Sequence, residues 1–296
     1  MDLWVIATLL AAIFQTARFM LHKVLSLGTL SPVGSTFARF AYAAPIAVGM
    51  MLGYLTATGA SMPAVTTAFW AYAIWGGLGQ AVATICVISL FSLRNFAVGL
   101  TLMKTETIMT AVVGMLVLGE ALSGWGWGAL VVGVAGVLLL SKPPKAANGS
   151  VLNRGLALGL ASGVFFAFSS VGYRGASLEI AHADPFVRSS VTLALVATGQ
   201  ALGMALWLAW RDRGQLCATW AARRTGIWLG LSSAAGSLMW FTAFTLQTAA
   251  YVKALGQVEL ILSLAVSVYF FKETVTRREL AGIAVLTLGI LLLARA

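Results

Sequence analysis

The sequence predicts an all-α integral membrane protein with ten transmembrane helices, arranged as two inverted five-helix repeats around a central cavity. Three observations support this prediction: a scarcity of charge, a series of long apolar segments, and a repeat that relates the two halves. Of 296 residues, 60% are hydrophobic and only 9% are charged, whereas soluble proteins carry charge at about a quarter of their positions. This composition excludes an ordinary soluble domain and a disordered chain, and two cysteines are too few for a disulfide scaffold.

Ten segments are long and apolar enough to cross a bilayer as helices, which takes about 20 residues. They are 3–23, 33–55, 67–91, 95–118, 123–141, 154–174, 186–209, 225–246, 249–271 and 277–294. Pro32 and Pro185 open the second and seventh segments, where proline suits the first helical turn. A polar linker at 143–153 separates a first repeat, 1–142, from a second repeat, 154–296.

The net charge of +10 arises from basic residues dispersed between the apolar segments, without any run of five or more. This distribution favours membrane loops that follow the positive-inside rule over a nucleic-acid-binding surface. Only Arg174, Arg188 and Arg295 fall on the side opposite to most of the loop Lys and Arg residues. We expect the basic side to face the cytoplasm and both termini to lie outside.

An offset of 153 residues aligns the two halves of the chain and pairs Pro32 with Pro185 and Glu106 with Glu259. Because each half contains an odd number of spans, the second half enters the membrane from the opposite side, and the repeat is inverted. Inverted repeats are a recurring architecture of secondary transporters, with the substrate site near the midplane between the halves. The alternative is a duplication that only stabilises a helix bundle.

Each half begins with an aromatic-containing helix, at Phe14 and Phe165, and ends with Glu, a short polar stretch and a Gly-rich Leu helix. These endings start at Leu118-Gly119-Glu120 and Phe271-Lys272-Glu273. The pattern resembles the drug/metabolite transporter superfamily in its ten-helix EamA-type branch, and within it the bacterial aromatic amino-acid exporters. The resemblance implies export of small metabolites across a bacterial inner (plasma) membrane.

The resemblance also implies a basket of helices around a cavity lined mainly by the first, third, fourth, sixth, eighth and ninth spans. We expect a small-molecule substrate and the lipid bilayer as partners, no nucleic acid, no cofactor, and a protein that can act as a monomer. The four-helix multidrug members of the superfamily carry a buried glutamate in their first helix. The first span here contains no acidic residue, only the polar Gln15. The lack of a glutamate weakens an interpretation as a proton-coupled cation pump.

Polar and aromatic side chains share helical stripes in several spans, for example Gln80 with Thr84 and Ser237 with Trp240. Because polar residues within membrane spans tend to face the bundle interior, we predict a pocket that is polar on one side and aromatic on the other. Such a pocket suits amphipathic substrates with a flat apolar part. The alternative is that the aromatic residues face lipid or fill the core. The predicted substrate-binding residues are Phe14, Gln15, Gln80, Thr84, Lys104, Phe165, Phe168, Ser169, Ser237, Trp240, Phe244 and Gln257.

Lys104, Glu106 and Glu259 lie deep in the fourth and ninth spans, where an unpaired charge is costly. Two interpretations remain open for them. Either Lys104 meets a substrate carboxylate and the glutamates exchange protons, or these residues form fixed ion pairs that hold helices together. The candidate pairing partners of the glutamates are Lys104, Lys253, Arg18 and Arg39. Lys104 and Glu106 are two positions apart and point to different faces, so we do not expect them to pair with each other.

Arg18 and Arg39 lie one to two turns from the cytoplasmic side, and we expect their long side chains to extend to the membrane interface. No Cys, His and carboxylate cluster has the spacing of a metal site, and no nucleophile–base set is visible. Two further function classes are alternatives to metabolite export. A proton-coupled pump for lipophilic cations needs Glu106 or Glu259 as an essential acid, and a membrane-embedded enzyme needs a catalytic set that the sequence does not offer.

Overall fold

The computed structural model describes residues 2–26, 28, 30–91, 103–140, 150–262 and 276–293. Within these ranges the ordered elements are helices, which we label in chain order. They are α1 (Leu3–Ser26), α2 (Pro32–Thr58), α3 (Thr67–Phe91), α4 (Glu106–Leu118), α5 (Gly124–Leu140), α6 (Ser150–Leu178), α7 (Pro185–Arg211), α8 (Arg213–Ala221), α9 (Arg223–Leu246), α10 (Ala249–Gly256) and α11 (Arg277–Leu293). Parts of the predicted fourth and ninth spans, at 95–102 and 263–271, lie outside the described residues, as do most of the predicted linker and Glu273.

In the described part of the chain, five helices are long and apolar enough to cross a membrane: α1, α2, α3, α7 and α9. Helices α4, α5 and α11 are also apolar but have only 13 to 17 residues. The protein is therefore a multi-pass helical membrane protein. The total of ten spans and the inversion of the repeat stay predictions.

Helices α2 and α7 begin with the same local chemistry. The Ser31 hydroxyl accepts the N–H of Gly34 at 3.1 Å, the Asp184 carboxylate accepts the N–H of Phe186 at 2.7 Å, and a proline follows each cap. Such caps satisfy N–H groups that lack partners in the first turn. Burial opposes ionisation of Asp184, but hydrogen bonds from the Tyr54 hydroxyl, at 2.6 Å, and from the Phe186 N–H outweigh it. The pKa of the Asp184 carboxyl therefore lies below its ordinary value.

The most extensive helix contacts join the first half of the chain to the second. Helix α3 packs along α6, α1 along α9, α2 along α7, and α5 along α11. Under the predicted repeat, α1 corresponds to α6, α2 to α7, α3 to α9 and α5 to α11. Replacing each helix by its counterpart converts the contact of α3 with α6 into the contact of α9 with α1. The α2–α7 and α5–α11 contacts are each converted into themselves. The predicted repeat requires this exchange of contacts, and the two halves bury their surfaces mainly against each other.

Two glycines permit close approach of helices from opposite halves. A Cβ added to Gly172 of α6 would lie 2.8 Å from the Cα of Gly76 in α3. A Cβ added to Gly289 of α11 would lie 2.6 Å from the backbone N of Gly133 in α5. Small residues of this kind let membrane helices pack with their backbones in contact. Gly203 of α7, in contrast, has no atom within 4 Å of an added Cβ.

The short helix α8 was not predicted from the sequence. It follows α7 in a basic stretch and rests against the start of α2. The side-chain oxygen of Gln215 accepts hydrogen bonds from the N–H and the hydroxyl of Ser31, at 2.9 and 3.0 Å. The carbonyl of Thr219 accepts a hydrogen bond from the Tyr42 hydroxyl at 3.0 Å. These contacts connect α8, which belongs to the second half of the chain, to α2 in the first half.

Candidate functional site

The chain turns at two positions that correspond under the predicted repeat. Lys104 lies in a turn directly before α4 begins at Glu106, and Gln257 lies in a turn between α10 and a further helical stretch at 258–262. The two turns meet, because the Gln257 side-chain amide donates a hydrogen bond to the Thr107 hydroxyl at 2.6 Å. Interrupted helices near the membrane midplane are where many transporters place their binding sites.

Two ion pairs connect the halves beside these turns. The Lys104 ammonium contacts the Glu259 carboxylate, and the Lys253 Nζ lies 2.5 Å from Oε1 of Glu106. The four side chains are between 8% and 12% exposed. Each glutamate therefore holds a lysine from the other half of the chain, and neither lysine pairs with the glutamate of its own half.

Gln15 of α1 connects the first ion pair to the interior of the bundle. Its Nε2 donates to Glu259 at 2.5 Å, and its Oε1 accepts hydrogen bonds from Arg18 Nη2 at 2.8 Å and from Trp240 Nε1 at 3.0 Å. The amide thus uses both its donor and its acceptor. This arrangement holds the Trp240 indole and the Arg18 guanidinium in place through one side-chain amide.

A second polar chain runs from α2 through α3 to α6. Arg39 Nη1 donates to the Thr84 hydroxyl at 3.1 Å, and that hydroxyl donates to the carbonyl of Gln80 at 2.7 Å. The Gln80 side-chain oxygen accepts a hydrogen bond from the Ser169 hydroxyl at 2.8 Å. The predicted stripe of Gln80 and Thr84 therefore faces the interior and contacts both halves of the chain.

Arg18 and Arg39 do not extend to the membrane interface as expected. They are only 3% and 5% exposed, and their guanidinium carbons lie 5.6 and 4.9 Å from the ring centres of Phe19 and Phe40. The physical reason is visible on α1, where Arg18 lies three positions after Gln15 and so shares its inward face. Among the described residues, no carboxylate forms an ion pair with either arginine.

A central cavity lies among these groups and has a volume of about 40 Å³, which is enough for a few water molecules. The predicted residues that line it are Gln15, Gln80, Ser237, Trp240, Phe244, Arg18, Arg39, Glu106 and Lys253. The second and seventh spans line it as well, through residues such as Arg39 and Leu193. The resemblance alone implied a lining drawn mainly from six other spans.

Aromatic rings form one wall of the cavity. The rings of Trp240 and Phe244 stack with centres 5.7 Å apart and planes inclined by 20°. The Lys253 ammonium lies 4.7 Å from the Trp240 ring centre and 5.8 Å from that of Phe244. The same lysine therefore neutralises Glu106 and packs against the aromatic wall.

The other predicted residues do not line the cavity. Phe14 of α1 packs against Gly236 of α9. Phe168 packs edge-on against Trp75, with ring centres 5.5 Å apart. Phe165 is 36% exposed, because its neighbour in the chain, Phe166, takes the inward position. The remaining predicted residues bond to lining residues or lie one contact further away: Thr84, Ser169, Glu259, Lys104 and Gln257.

Sequence reasoning missed several lining residues, among them Phe166, Tyr173 and Gln200. Gln200 donates to the carbonyl of Gly77 at 2.8 Å and to the Tyr173 hydroxyl at 3.2 Å, which fixes α7 to α3 and α6. A polar residue deep in an apolar span was the signal that identifies Gln200. The turns at Lys104 and Gln257 had no comparable signal, since no proline lies near them. Within the described ranges, no group of three His, Cys, Asp or Glu residues is placed to hold a metal ion.

The helices and the cavity together define a multi-pass membrane protein with a polar and aromatic central chamber. Residues 153–295 match the EamA-like transporter family. This match supports the resemblance of the chain to the drug/metabolite transporter superfamily, and it falls on the second predicted repeat. A solved crystal structure shares the fold, with a TM-score of 0.72 and 15% sequence identity over 98% of this chain and 95% of the other. No curated protein matches the chain.

Proposed function

We propose that the protein is a secondary transporter that exports small amphipathic metabolites, most of all aromatic or other apolar amino acids. The observation that carries the proposal is the mixed lining of the cavity. Gln15, Gln80 and Ser237 offer polar contacts, and the stacked Trp240 and Phe244 rings offer a flat apolar surface. A molecule with a polar head and a flat apolar part satisfies both kinds of lining residue.

Transport proceeds by alternating access, in which two inverted repeats, 1–142 and 154–296, rock about the cavity. The contacts between the halves support this mechanism because they enclose the cavity from both sides. We assign the two lysine–glutamate pairs a structural role, in which they hold α4 against the segment around Gln257. The protein acts in the bacterial inner membrane, with both termini in the periplasm.

The second candidate is a proton-coupled efflux pump for lipophilic cations. One observation favours it, since the Glu106 carboxylate lines the cavity. Its weakness is that Lys253 lies 2.5 Å from this carboxylate, so a cationic substrate has to displace a bound ammonium group. Metabolite export needs no such displacement.

Reconstituted vesicles test the proposal. Labelled phenylalanine or tryptophan should enter vesicles that contain the protein faster than protein-free vesicles, with and without a proton gradient. The Glu106→Gln variant should retain most of this flux. Absence of accelerated flux for every amino acid tested contradicts the proposal. Gradient-dependent flux of a lipophilic cation that Glu106→Gln abolishes, in a variant that still folds, supports the second candidate instead.

A reporter fused after Ala296 tests the proposed orientation separately. A reporter that is active only in the periplasm should give a signal. A signal from a reporter that is active only in the cytoplasm overturns the assignment of both termini.

A further inference from the structure

Among the described residues, the ionisable groups in and around the cavity that are at most 12% exposed carry more positive than negative charge. The cations are Lys104, Lys253, Arg18 and Arg39, and the anions are Glu106 and Glu259. Both glutamates hold a lysine. In the part of the chain that the structure describes, the two arginines are therefore left without a negative partner, in an interior where an uncompensated charge is costly.

The two guanidinium groups also have hydrogen-bonding capacity to spare. Arg18 uses Nη2 on Gln15, and Arg39 uses Nη1 on Thr84. The Nε atoms of both arginines are buried and have no hydrogen-bond partner among the described residues. Both side chains line the cavity. A guanidinium offers five N–H donors in a planar fork, so each group can bind a further acceptor that enters from the cavity.

The shape of that acceptor follows from the chemistry of the donors. Planar carboxylates accept paired, charge-assisted hydrogen bonds from guanidinium groups. Phe19 and Phe40 lie next to the two guanidinium groups, at 5.6 and 4.9 Å from ring centre to guanidinium carbon. Both phenylalanines also line the cavity, so they flank the donor groups that a ligand meets there.

We propose that Arg18 and Arg39 bind the carboxylate of the ligand, and that the preferred ligands are aromatic carboxylates whose ring lies against Trp240 and Phe244. The site takes net anionic molecules at least as well as zwitterionic amino acids, because both nearby glutamates already hold lysines and leave no free acid for an ammonium group. The binding part of this inference stands on the geometry alone, and its relevance to transport rests on the proposed function.

The same geometry reassigns a role considered for Lys104. That residue was a candidate partner for a substrate carboxylate, but its ammonium contacts Glu259 and does not line the cavity. The arginines, expected at the membrane interface, occupy the position in the cavity that such a partner requires.

Three ligands that share a phenyl ring separate the contributions of the two charged groups. Phenylalanine carries both a carboxylate and an ammonium group, 3-phenylpropionate carries only the carboxylate, and phenethylamine carries only the ammonium group. Isothermal titration of the purified full-length protein should show that 3-phenylpropionate binds at least as tightly as phenylalanine. Phenethylamine should bind about tenfold more weakly or worse, the effect of losing one hydrogen bond to a charged group.

Substitutions then locate the effect. Arg18→Gln and Arg39→Gln should each weaken 3-phenylpropionate binding about tenfold and reduce its advantage over phenethylamine. The charge-conserving Arg18→Lys and Arg39→Lys variants should retain part of the advantage. Arg211→Gln, at the exposed end of α7, is the matched control and should bind like the unmodified protein.

The inference is overturned if the unmodified protein binds none of the three ligands, or if it binds phenethylamine as tightly as 3-phenylpropionate. It is also overturned if the folded Arg18→Gln and Arg39→Gln variants keep the full preference for 3-phenylpropionate over phenethylamine. If those variants do not fold, the ligand series on the unmodified protein decides alone. Flux measurements in vesicles keep the two proposals apart. Carboxylate-selective binding without flux supports the binding site and contradicts transport, whereas flux without carboxylate selectivity contradicts only the binding site.

Discussion

Replacing Glu259 with Gln removes one charge from the buried pair with Lys104 and leaves the size of the side chain unchanged. In the folded protein both side chains are 8% exposed. The Glu259 carboxylate also accepts a hydrogen bond from Gln15. The substitution therefore leaves the Lys104 ammonium in the bundle interior without a negative partner, because the nearby Glu106 already holds Lys253.

Removing one partner of a buried ion pair costs about 3–5 kcal/mol, mostly through the charge that stays behind. We expect Glu259→Gln to lower the free energy of unfolding by about this amount. Lys104→Met, which leaves the carboxylate unpaired, should have a comparable effect. The double variant buries neither charge, and it should cost clearly less than the two single variants together, since replacing a whole buried pair is often close to neutral.

Reversible unfolding in mixed micelles, followed by circular dichroism across a series of denaturing-detergent concentrations, measures these free energies. The four proteins form a double-mutant cycle, which isolates the coupling between the two side chains. Glu179→Gln is the control, because Glu179 lies in the turn directly after α6, where its carboxylate accepts a hydrogen bond from the Thr66 hydroxyl at 2.9 Å. This control should change stability by no more than about 0.5 kcal/mol.

Two results would refute the reasoning. One is a loss of less than about 1 kcal/mol in Glu259→Gln, which would show that the charge left on Lys104 is solvated or neutral in the membrane protein. The other is a double variant whose loss equals the sum of the two single losses, which would show that the side chains do not interact.

Three further predictions concern packing, the aromatic wall and a helix cap. Gly172→Ala should destabilise the protein by about 1–3 kcal/mol through overpacking between α6 and α3. Gly203→Ala, where the added methyl group faces open space, should leave the stability unchanged. Thermal unfolding of both variants checks this prediction, and equal losses of stability contradict it. Trp240→Ala should weaken phenylalanine binding about tenfold by titration calorimetry, and Trp210→Ala, 82% exposed, should leave it unchanged. Because folding lowers the pKa of Asp184, its contribution is present above the carboxyl's unfolded pKa of about 4 and is lost as the pH falls through the lower folded pKa. Asp184→Asn should remove this component from the acid branch of a stability–pH curve, and an unchanged curve would contradict the assignment.

Several features of the fold follow from local sequence and were predictable. Apolar segments located the helices, and Pro32 and Pro185 marked the starts of α2 and α7, because a proline ring suits the first turn and the preceding residue caps it. Gln15 and Trp240 were predicted to meet in one site, and they share a hydrogen bond. Spacing along one helix is enough for predictions of this kind.

Other features needed the three-dimensional arrangement. The spacing of Gln15 and Arg18 places them on one face of α1, but only the packing of α1 against α9 shows that this face points inward. Phe165 and Phe166 are neighbours of equal hydrophobicity, and the helix contacts alone decide that Phe166 lines the cavity while Phe165 is exposed. The pairing of each glutamate with a lysine of the other half likewise depends on which helices meet.

By itself the sequence determined that the chain is a multi-pass helical membrane protein and where most helices begin and end. It also placed Lys104, Glu106 and Glu259 within apolar spans, but it misplaced Arg18 and Arg39 at the membrane interface. Hydropathy and helical periodicity are properties of neighbouring residues, so a single chain displays them directly. Only the tertiary structure decided which charges neutralise each other and which remain open to the cavity. Those outcomes depend on contacts between residues some 150 positions apart, such as Lys104 with Glu259. The repeat offset indicates that Glu106 corresponds to Glu259, but it does not indicate which lysine each glutamate contacts.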